Sequence, residues 1–271
     1  MNSITIICEH SSKNTLSNLT RIVNYAKNLN LKFIRPEELS DFFNDKLGGN
    51  YILLTFDDGQ EYKFDGIADF LRQNKIKAIS FVVPLHWGFH STYTNFDYYI
   101  RNKDVFEVGC HSLTHTMVAN SLLYDGIDIT SPKLIYYGDK NLKVSYNYGL
   151  ICKEFNKIKN RLETEEEYNI RLDRELNFSK EWIERATGKQ CRYFAYPYGV
   201  YNNYVLEKIK KYGYEMAFTV NRTEGTIFSV PRIDTMNLDN KTKNNVIDNV
   251  IVKSWERLSQ NDIDVKYGIY K

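Results

Sequence analysis

Several features that would mark other protein classes are scarce or missing in this 271-residue sequence. Its 36 basic and 34 acidic side chains leave a formal net charge of only +2, with no dense basic stripe. Nothing in the charge pattern therefore indicates a nucleic-acid partner. No run approaches the roughly 18 apolar residues of a membrane-spanning helix. The four cysteines form no CxxC pair, which argues against a zinc knuckle.

The N-terminus also lacks the marks of a secretory signal. Its sequence, MNSITIICEHSS, has no basic segment and only a short apolar run, which predicts a first β-strand instead. We therefore expect a cytoplasmic protein, and the sequence leaves open whether it forms a homo-oligomer. Cys8 and Cys110 fall within apolar strand patterns, so we expect both to be reduced core residues.

Short apolar segments alternate with amphipathic ones along most of the chain. The apolar segments predict strands at Ile4–Cys8, Lys32–Ile34, Tyr51–Phe56, Ala78–Val83, Val105–Cys110, Arg192–Tyr196, Glu215–Val220 and Val230–Asp234. Helical spacing is found from Thr15, at Phe64–Gln73, Leu172–Ala186 and Tyr204–Tyr212, and from Asp239 to about Leu258. This alternation indicates parallel β/α units. With no internal repeat and no linker, residues 1–271 are predicted to form one α/β domain.

The β/α rhythm stops between residues 117 and 168. This segment is rich in Tyr, Asn and Lys and contains turn sequences. A connection of this length is usually functional or flexible. It could shape a binding site or an oligomer contact, or it could be a plain surface excursion.

Polar residues collect directly after predicted strands, where ligands bind in parallel β/α folds. Asp57 and Asp58 form one such pair, and a divalent cation would compensate their mutual repulsion, although Asp before Gly is also a common turn. His111 and His115 form another, and a helix would put both on one face. Two imidazoles and one carboxylate leave room for water, as in catalytic metal sites. The alternative is a pair of ordinary core or surface histidines.

These motifs resemble those of the polysaccharide deacetylase family, also called NodB-like or carbohydrate esterase family 4. TFDDG combined with HSxxH is a specific pair, and FAYPYG and SFVVP resemble the family's third motif and third strand. ICEH and VPRID resemble the subgroup that includes poly-N-acetylglucosamine deacetylases. The likeness covers nearly the whole chain except about residues 117–168. It implies a distorted (β/α) barrel of about seven strands, with that segment inserted.

The resemblance also implies a metal centre. Its three ligands would be Asp58, His111 and His115. The ion would be a single divalent cation, most simply Zn²⁺, with Co²⁺, Fe²⁺ or Ni²⁺ as alternatives. Asp57 would be the general base that takes a proton from a water molecule. The turn of Pro197, Tyr198 and Gly199 would bind substrate, and the backbone N–H of Tyr198 would help to hold the oxyanion.

The sequence departs from the best-known family members at the general acid. They take it from a histidine near the C-terminus, whereas no histidine follows His115 here. The resemblance to the permuted subgroup points instead to His10, at the end of the first strand. The alternative is that His10 only ends that strand, in which case His86 and His90 are the remaining candidates.

A second departure concerns the arginine that steadies the catalytic aspartate. The family's third motif carries it two residues before the proline, but Ala195 stands there. Arg232 of VPRID could supply the guanidinium with bidentate geometry, or it could be a plain surface arginine.

Aromatic residues suggest what the site binds. Tyrosine is unusually frequent, at 21 copies, which suits sugar stacking, although ordinary core filling is the simpler explanation. Trp87, Tyr93 and Tyr98 lie in or near a predicted loop and favour a sugar. The family resemblance implies a metal-dependent hydrolase that removes an acetyl group from an N-acetylated sugar or glycan, and the expected cytoplasmic location suggests a role in surface-polysaccharide metabolism. A metal-dependent hydrolase of a non-sugar amide is the alternative. A non-catalytic carbohydrate-binding relative is disfavoured, because the base and all three metal ligands are present.

Overall fold

The structure is a computed structural model that describes residues 2–10, 15–59, 66–87, 95–124, 127–128, 142–156, 159, 161–220 and 225–235. Its strands are β1 (Ser3–His10), β2 (Lys32–Phe33), β3 (Asn50–Asp57), β4 (Ala78–Val82), β5 (Phe106–Cys110), β6 (Met117–Tyr124), β7 (Ile127–Asp128), β8 (Leu142–Tyr148), β9 (Phe155–Asn156), β10 (Arg161–Leu162), β11 (Tyr193–Ala195), β12 (Met216–Val220) and β13 (Val230–Asp234). Its α-helices are α1 (Thr15–Asn28), α2 (Leu39–Phe43), α3 (Ile67–Gln73), α4 (Phe96–Arg101), α5 (Glu165–Asp173), α6 (Ser179–Thr187) and α7 (Asn203–Lys211).

Seven parallel strands close into a barrel in the order β1, β13, β12, β11, β5, β4 and β3, and β3 pairs back to β1. The short β2 pairs with Tyr51 and Ile52 of β3, whereas β4 pairs from Leu54 onward. Since β1 occupies one edge of β3 throughout, β2 and β4 share the other edge. The distorted (β/α) barrel of about seven strands is therefore confirmed.

The strands are buried on both faces because helices cover the outside of the barrel and side chains fill the inside. Alternation along each strand separates the two sets. In β1, Ile4 and Ile6 point into the interior, which α2 closes at one end, while Ile7 packs outward toward α1. The buried face of α1 comprises Leu19, Ile22, Val23 and Ala26, at the predicted helical spacing.

The described part of the segment between residues 117 and 168 has its own small sheets. Strands β6, β7 and β8 form an antiparallel sheet of three, and β9 pairs with β10. Helix α5 begins at Glu165, earlier than the predicted start at Leu172, because Thr164 and Glu167 form a reciprocal capping box. A π-helical turn at Arg174–Phe178 joins α5 to α6.

Some expectations fall on residues that the structure does not describe. The helix predicted from Asp239, together with His90 and Tyr93, lies outside the described residues. Within the described residues, no helix has the length and apolar character needed to cross a membrane.

Candidate active site

The carboxyl ends of the barrel strands bring the predicted site residues to one mouth. His10 ends β1 and Asp57 ends β3, and the two residues are register partners in this parallel pair. Partners in register point to the same face of a sheet, so both side chains lie on the interior side. His111 follows β5, and Arg232 lies in β13. Barrel closure thus gathers residues that are far apart in the sequence.

Arg232 binds Asp57 through two parallel contacts inside the barrel. Its Nη1 donates to Oδ1 at 2.7 Å and its Nη2 to Oδ2 at 2.8 Å. Thr55 Oγ1 and the Thr219 carbonyl accept further hydrogen bonds from the guanidinium, and the Phe81 ring lies 5.1 Å away. Arg232 is only 1% exposed, so it is not a plain surface residue.

The electrostatics of Asp57 follow from this pairing. Burial by itself raises the pKa of the Asp57 carboxyl, but the Arg232 guanidinium outweighs burial and holds that pKa well below its usual range. The same carboxylate keeps the pKa of Arg232 above its usual value against the effect of burial. The pair is therefore fully ionised at neutral pH.

Asp58, His111 and His115 present three candidate metal ligands. Their ligand atoms all lie within 4.8 Å of one another. Asp58 Oδ1 is 3.8 Å from His111 Nε2 and 3.7 Å from His115 Nε2. Zinc sites in proteins use the same ligand types, so this set can hold a divalent cation.

The protonation state of His111 tests that fit. Its Nδ1 lies 2.8 Å from the Ala195 carbonyl, which can only accept, so Nδ1 carries the proton and Nε2 has a free lone pair. Burial lowers the pKa of His111 to about 4, so the ring is neutral at neutral pH. That lone pair faces Asp57 Oδ2 at 3.5 Å as well as Asp58. Lone pairs that converge in this way suit a cation between them, so the residues fit a metal ion.

The two histidines are not on a helix, contrary to the geometry expected from their spacing. The residues after β5 form a turn in which Ser112 and His115 have positive φ angles of 63° and 53°. The Ser112 hydroxyl accepts a hydrogen bond from the His115 backbone N–H at 3.0 Å. The chain therefore curls back and brings the imidazoles together without helical periodicity.

Glu175 lies in the π-helical turn and holds the turn at residues 111–115, called the metal-ligand turn because it carries two of the candidate ligands. Its carboxylate accepts hydrogen bonds from the backbone N–H groups of Leu113 at 2.9 Å and Thr114 at 3.0 Å, and from the Thr114 hydroxyl at 2.7 Å. Glu175 is only 6% exposed. Sequence reasoning missed it because the contact spans about sixty residues and no motif marks it.

His10 lies across the mouth from the metal-ligand turn and contacts a second missed residue, Asp234. Its Nδ1 is 3.3 Å from Asp234 Oδ1. Burial alone would lower the pKa of His10, but the hydrogen bond to Asp234 and the charges of Asp57 and Asp58 raise it to about 9. Asp234 follows Arg232 by two residues on the same strand, and this spacing within VPRID could have identified it.

The Pro197–Gly199 turn lines the mouth beside His115. Tyr198 has a φ of 60°, and its ring is 43% exposed. That ring lies 4.6 Å from the His115 ring and 5.0 Å from the ring of Tyr148 at the end of β8. The segment at 117–168 therefore reaches the site, and Tyr148 is a further residue that sequence reasoning missed.

Gly199 is required by close packing. A Cβ at this position would lie 2.4 Å from Val220 Cγ2 and 2.8 Å from the Val220 backbone nitrogen. The turn is therefore pressed against β12, which fixes the position of Tyr198.

Trp87 does not join the site, and its expected role as a sugar-stacking face is corrected. Its ring is only 7% exposed and packs against Phe96 and Tyr99. The short turn at Pro84–His86 directs it back onto α4. Tyr98 is partly buried and packs against Tyr99 and Phe106 at the edge of the core.

Comparisons with known proteins agree with this architecture. A family model described as polysaccharide deacetylase matches residues 44–217. A de-N-acetylase from Aggregatibacter actinomycetemcomitans aligns with a TM-score of 0.68 and 20% identity, covering 90% of this chain and 99% of that one. The BpsB deacetylase domain from Bordetella bronchiseptica aligns with a TM-score of 0.68 and 17% identity, covering 86% and 95%.

A third solved structure, IcaB from Ammonifex degensii, aligns with a TM-score of 0.62 and 16% identity, covering 92% of this chain and 97% of that one. At such identities the structural likeness establishes the fold alone. No match was found among curated protein sequences.

The Glu175 contacts generate a test of how the metal-ligand turn is held. We expect Glu175→Ala to weaken binding of added Zn²⁺ by about 10- to 100-fold, as for other outer partners of metal ligands, because the backbone N–H groups of Leu113 and Thr114 would lose their shared acceptor. Titration calorimetry measures the affinity, and circular dichroism confirms the fold. Glu181→Ala, at a half-exposed glutamate on α6, is the control. Equal zinc affinity in both variants would show that Glu175 does not position the ligands.

Proposed function

The chain belongs to the polysaccharide deacetylase family, and from this premise we propose that it is a metal-dependent deacetylase that removes an acetyl group from an N-acetylated sugar or glycan. One arrangement supports this function. A buried carboxylate, Asp57, lies between a three-residue cation site and a histidine whose Nδ1 is held by an aspartate. The family description favours a polysaccharide substrate, and we propose that the protein acts in surface-polysaccharide metabolism.

Three residues would hold the cation: Asp58, His111 and His115. When bound, the ion supplies Lewis acidity, which lowers the pKa of a water molecule and polarises a carbonyl oxygen. Zn²⁺ suits a set of two imidazoles and one carboxylate, and Co²⁺, Fe²⁺ or Ni²⁺ would bind the same donors. The Ala195 carbonyl fixes the His111 tautomer, so Nε2 is ready to bind without losing a proton.

Asp57 would act as the general base. Arg232 uses one lone pair on each carboxylate oxygen. The Cys8 thiol donates to the other lone pair of Oδ2 at 3.4 Å, so Oδ1 is the oxygen that keeps a lone pair for a proton. Its lowered pKa keeps Asp57 ionised throughout the neutral range. Arg232 therefore holds the base in one orientation and in its proton-accepting form, and acts as a positioning residue.

His10 would act as the general acid. Asp234 engages Nδ1 at 3.3 Å, which leaves Nε2–H of the imidazolium free to give its proton to the departing amine. A pKa raised to about 9 keeps the ring protonated at neutral pH. The side chain is 22% exposed, so a substrate at the mouth can reach it.

The turn at Pro197, Tyr198 and Gly199 would bind the substrate. The backbone N–H of Tyr198 would stabilise the developing oxyanion. The exposed Tyr198 ring, supported by Tyr148, offers a flat apolar face on which a sugar ring can stack.

The metal assignment predicts one bound Zn²⁺ per chain at the site of highest affinity. His111→Ala and His115→Ala should each abolish that binding, since each removes one of three ligands. Elemental analysis after dialysis at limiting zinc measures the metal content. Thr187→Ala, at the end of α6, is the control for folding. Zinc binding with unchanged affinity in both histidine variants would refute the ligand set.

The base assignment predicts that Asp57→Asn keeps the metal but loses turnover by on the order of 10²-fold or more. Asparagine preserves the size of the side chain but cannot accept the proton. Acetate release from N-acetylglucosamine oligomers measures turnover, and Asp104→Asn at the surface is the matched control. Near-normal acetate release from metal-loaded Asp57→Asn would place the base elsewhere.

The acid assignment predicts a dependence on the leaving group. His10→Gln should retain the metal and lose turnover on an N-acetyl substrate by on the order of 10²-fold, because an amine leaves only when protonated. The loss on an aryl acetate should be much smaller, because an aryloxide needs no proton. Steady-state rates on both substrates provide the comparison. Equal losses would make His10 a positioning residue rather than an acid.

A further inference from the structure

A second cluster of potential metal ligands lies across Asp57 from the first. Its members are Cys8, His10 and Asp234, and their ligand atoms lie within 4.8 Å of one another. His10 Nδ1 is 4.0 Å from Cys8 Sγ and 3.3 Å from Asp234 Oδ1. Cys8 and Asp234 are register partners on β1 and β13. The three side chains are therefore held together by two paired barrel strands rather than by a loop.

We propose that Cys8, His10 and Asp234 form a second cation site, which binds Zn²⁺ through a thiolate, an imidazole and a carboxylate. Zinc accepts each of these ligand types, and three protein ligands leave a fourth position for water. The sulfur ligand distinguishes this site from the first, which offers only nitrogen and oxygen.

The net charge of the cluster favours the exchange of two protons for one zinc ion. Without the ion, the His10 imidazolium balances the Asp234 carboxylate, and the Cys8 thiol is neutral. Zinc binds the thiolate and the neutral imidazole, so one Zn²⁺ enters as two protons leave, one from Cys8 and one from His10. The cluster then holds two negative ligands and one dication. Its net charge is unchanged, which avoids leaving an uncompensated charge in the buried barrel.

The two sites should fill in order. Cys8 is fully buried, and its thiol donates a hydrogen bond to Asp57 Oδ2 at 3.4 Å. An ion at the second site must break this hydrogen bond and displace the thiol proton, whereas an ion at the first site displaces no proton from His111. The first site already presents the unprotonated Nε2 of His111. We therefore expect the second site to fill only after the first.

A zinc ion bound at this second site would inactivate His10 as the general acid. An ion on His10 Nδ1 displaces the proton there and leaves a neutral imidazole, which does not protonate an amine near neutral pH. Excess zinc would thus inhibit amide hydrolysis through Cys8. This consequence rests on the proposed function, whereas the binding site itself does not.

Cobalt titration tests the site without any substrate. A thiolate bound to Co²⁺ gives an intense near-ultraviolet charge-transfer absorption that nitrogen and oxygen ligands do not give. In the wild-type protein, we expect this absorption to appear with the second equivalent of Co²⁺ and not with the first. A titration that stops at one ion, or a second ion without this absorption, would overturn the proposal.

Matched cysteine variants locate the sulfur ligand. Cys8→Ser should lose the charge-transfer absorption and the second equivalent while keeping the first. Cys152→Ser, at a half-buried cysteine away from the cluster, should keep both. Asp234→Asn should also weaken the second equivalent, and it serves if Cys8→Ser does not fold. The proposal fails if the absorption survives in Cys8→Ser or disappears in Cys152→Ser.

Inhibition by zinc then separates this proposal from the proposed function. At a zinc concentration tenfold above the dissociation constant of the second site, wild-type amide hydrolysis should fall about tenfold by mass action. Cys8→Ser should keep the rate that it shows with one zinc bound. If the protein binds two ions but is inactive on N-acetylated glycans, the proposed function is wrong and the second cation site is still supported. Activity that is insensitive to a filled second site would remove its inhibitory role.

Discussion

The ion pair between Asp57 and Arg232 is the constraint on which the mouth of the barrel depends. A buried charge is costly unless it is paired and its remaining hydrogen-bonding groups are satisfied. Arg232 is almost fully buried, and Thr55 and the Thr219 carbonyl accept hydrogen bonds that Asp57 does not use. These partners lie on β3 and β12, so the pair is satisfied only when β12, β13, β1 and β3 are paired in order. Closure in turn holds Asp57 between the two ligand clusters.

Strand alternation decides which other polar groups share this interior. Cys8 and His10 lie two residues apart on β1, and Arg232 and Asp234 lie two apart on β13, so each pair points inward. The register between the strands then sets the contacts, because it pairs His10 with Asp57 and Cys8 with Asp234. A slip of one residue would turn all of these groups toward the helices. The chemistry of the mouth is therefore inseparable from the packing of the core.

Support for the metal-ligand turn comes from outside the barrel strands. Glu175 satisfies backbone donors of the turn, and π-helical turns of the kind in which it lies are frequent at functional sites. On the other side, the Tyr198 ring contacts both Tyr148 and His115 in tilted geometry. The inserted segment and the π-helical turn thus both contact the turn that carries the candidate ligands His111 and His115.

Local sequence by itself determined the succession of strands and helices, because apolar periodicity reports which face of an element is buried. It also determined that Asp57, Asp58, His111 and His115 follow strands, where parallel folds gather their ligands. Only the tertiary structure decided what these residues touch. It placed His115 in a curled turn rather than on a helix, buried Trp87 in the core, and made Glu175, Tyr148 and Asp234 partners of the site. Such contacts join residues that are distant in the chain, and they depend on how the barrel closes, which no local pattern encodes.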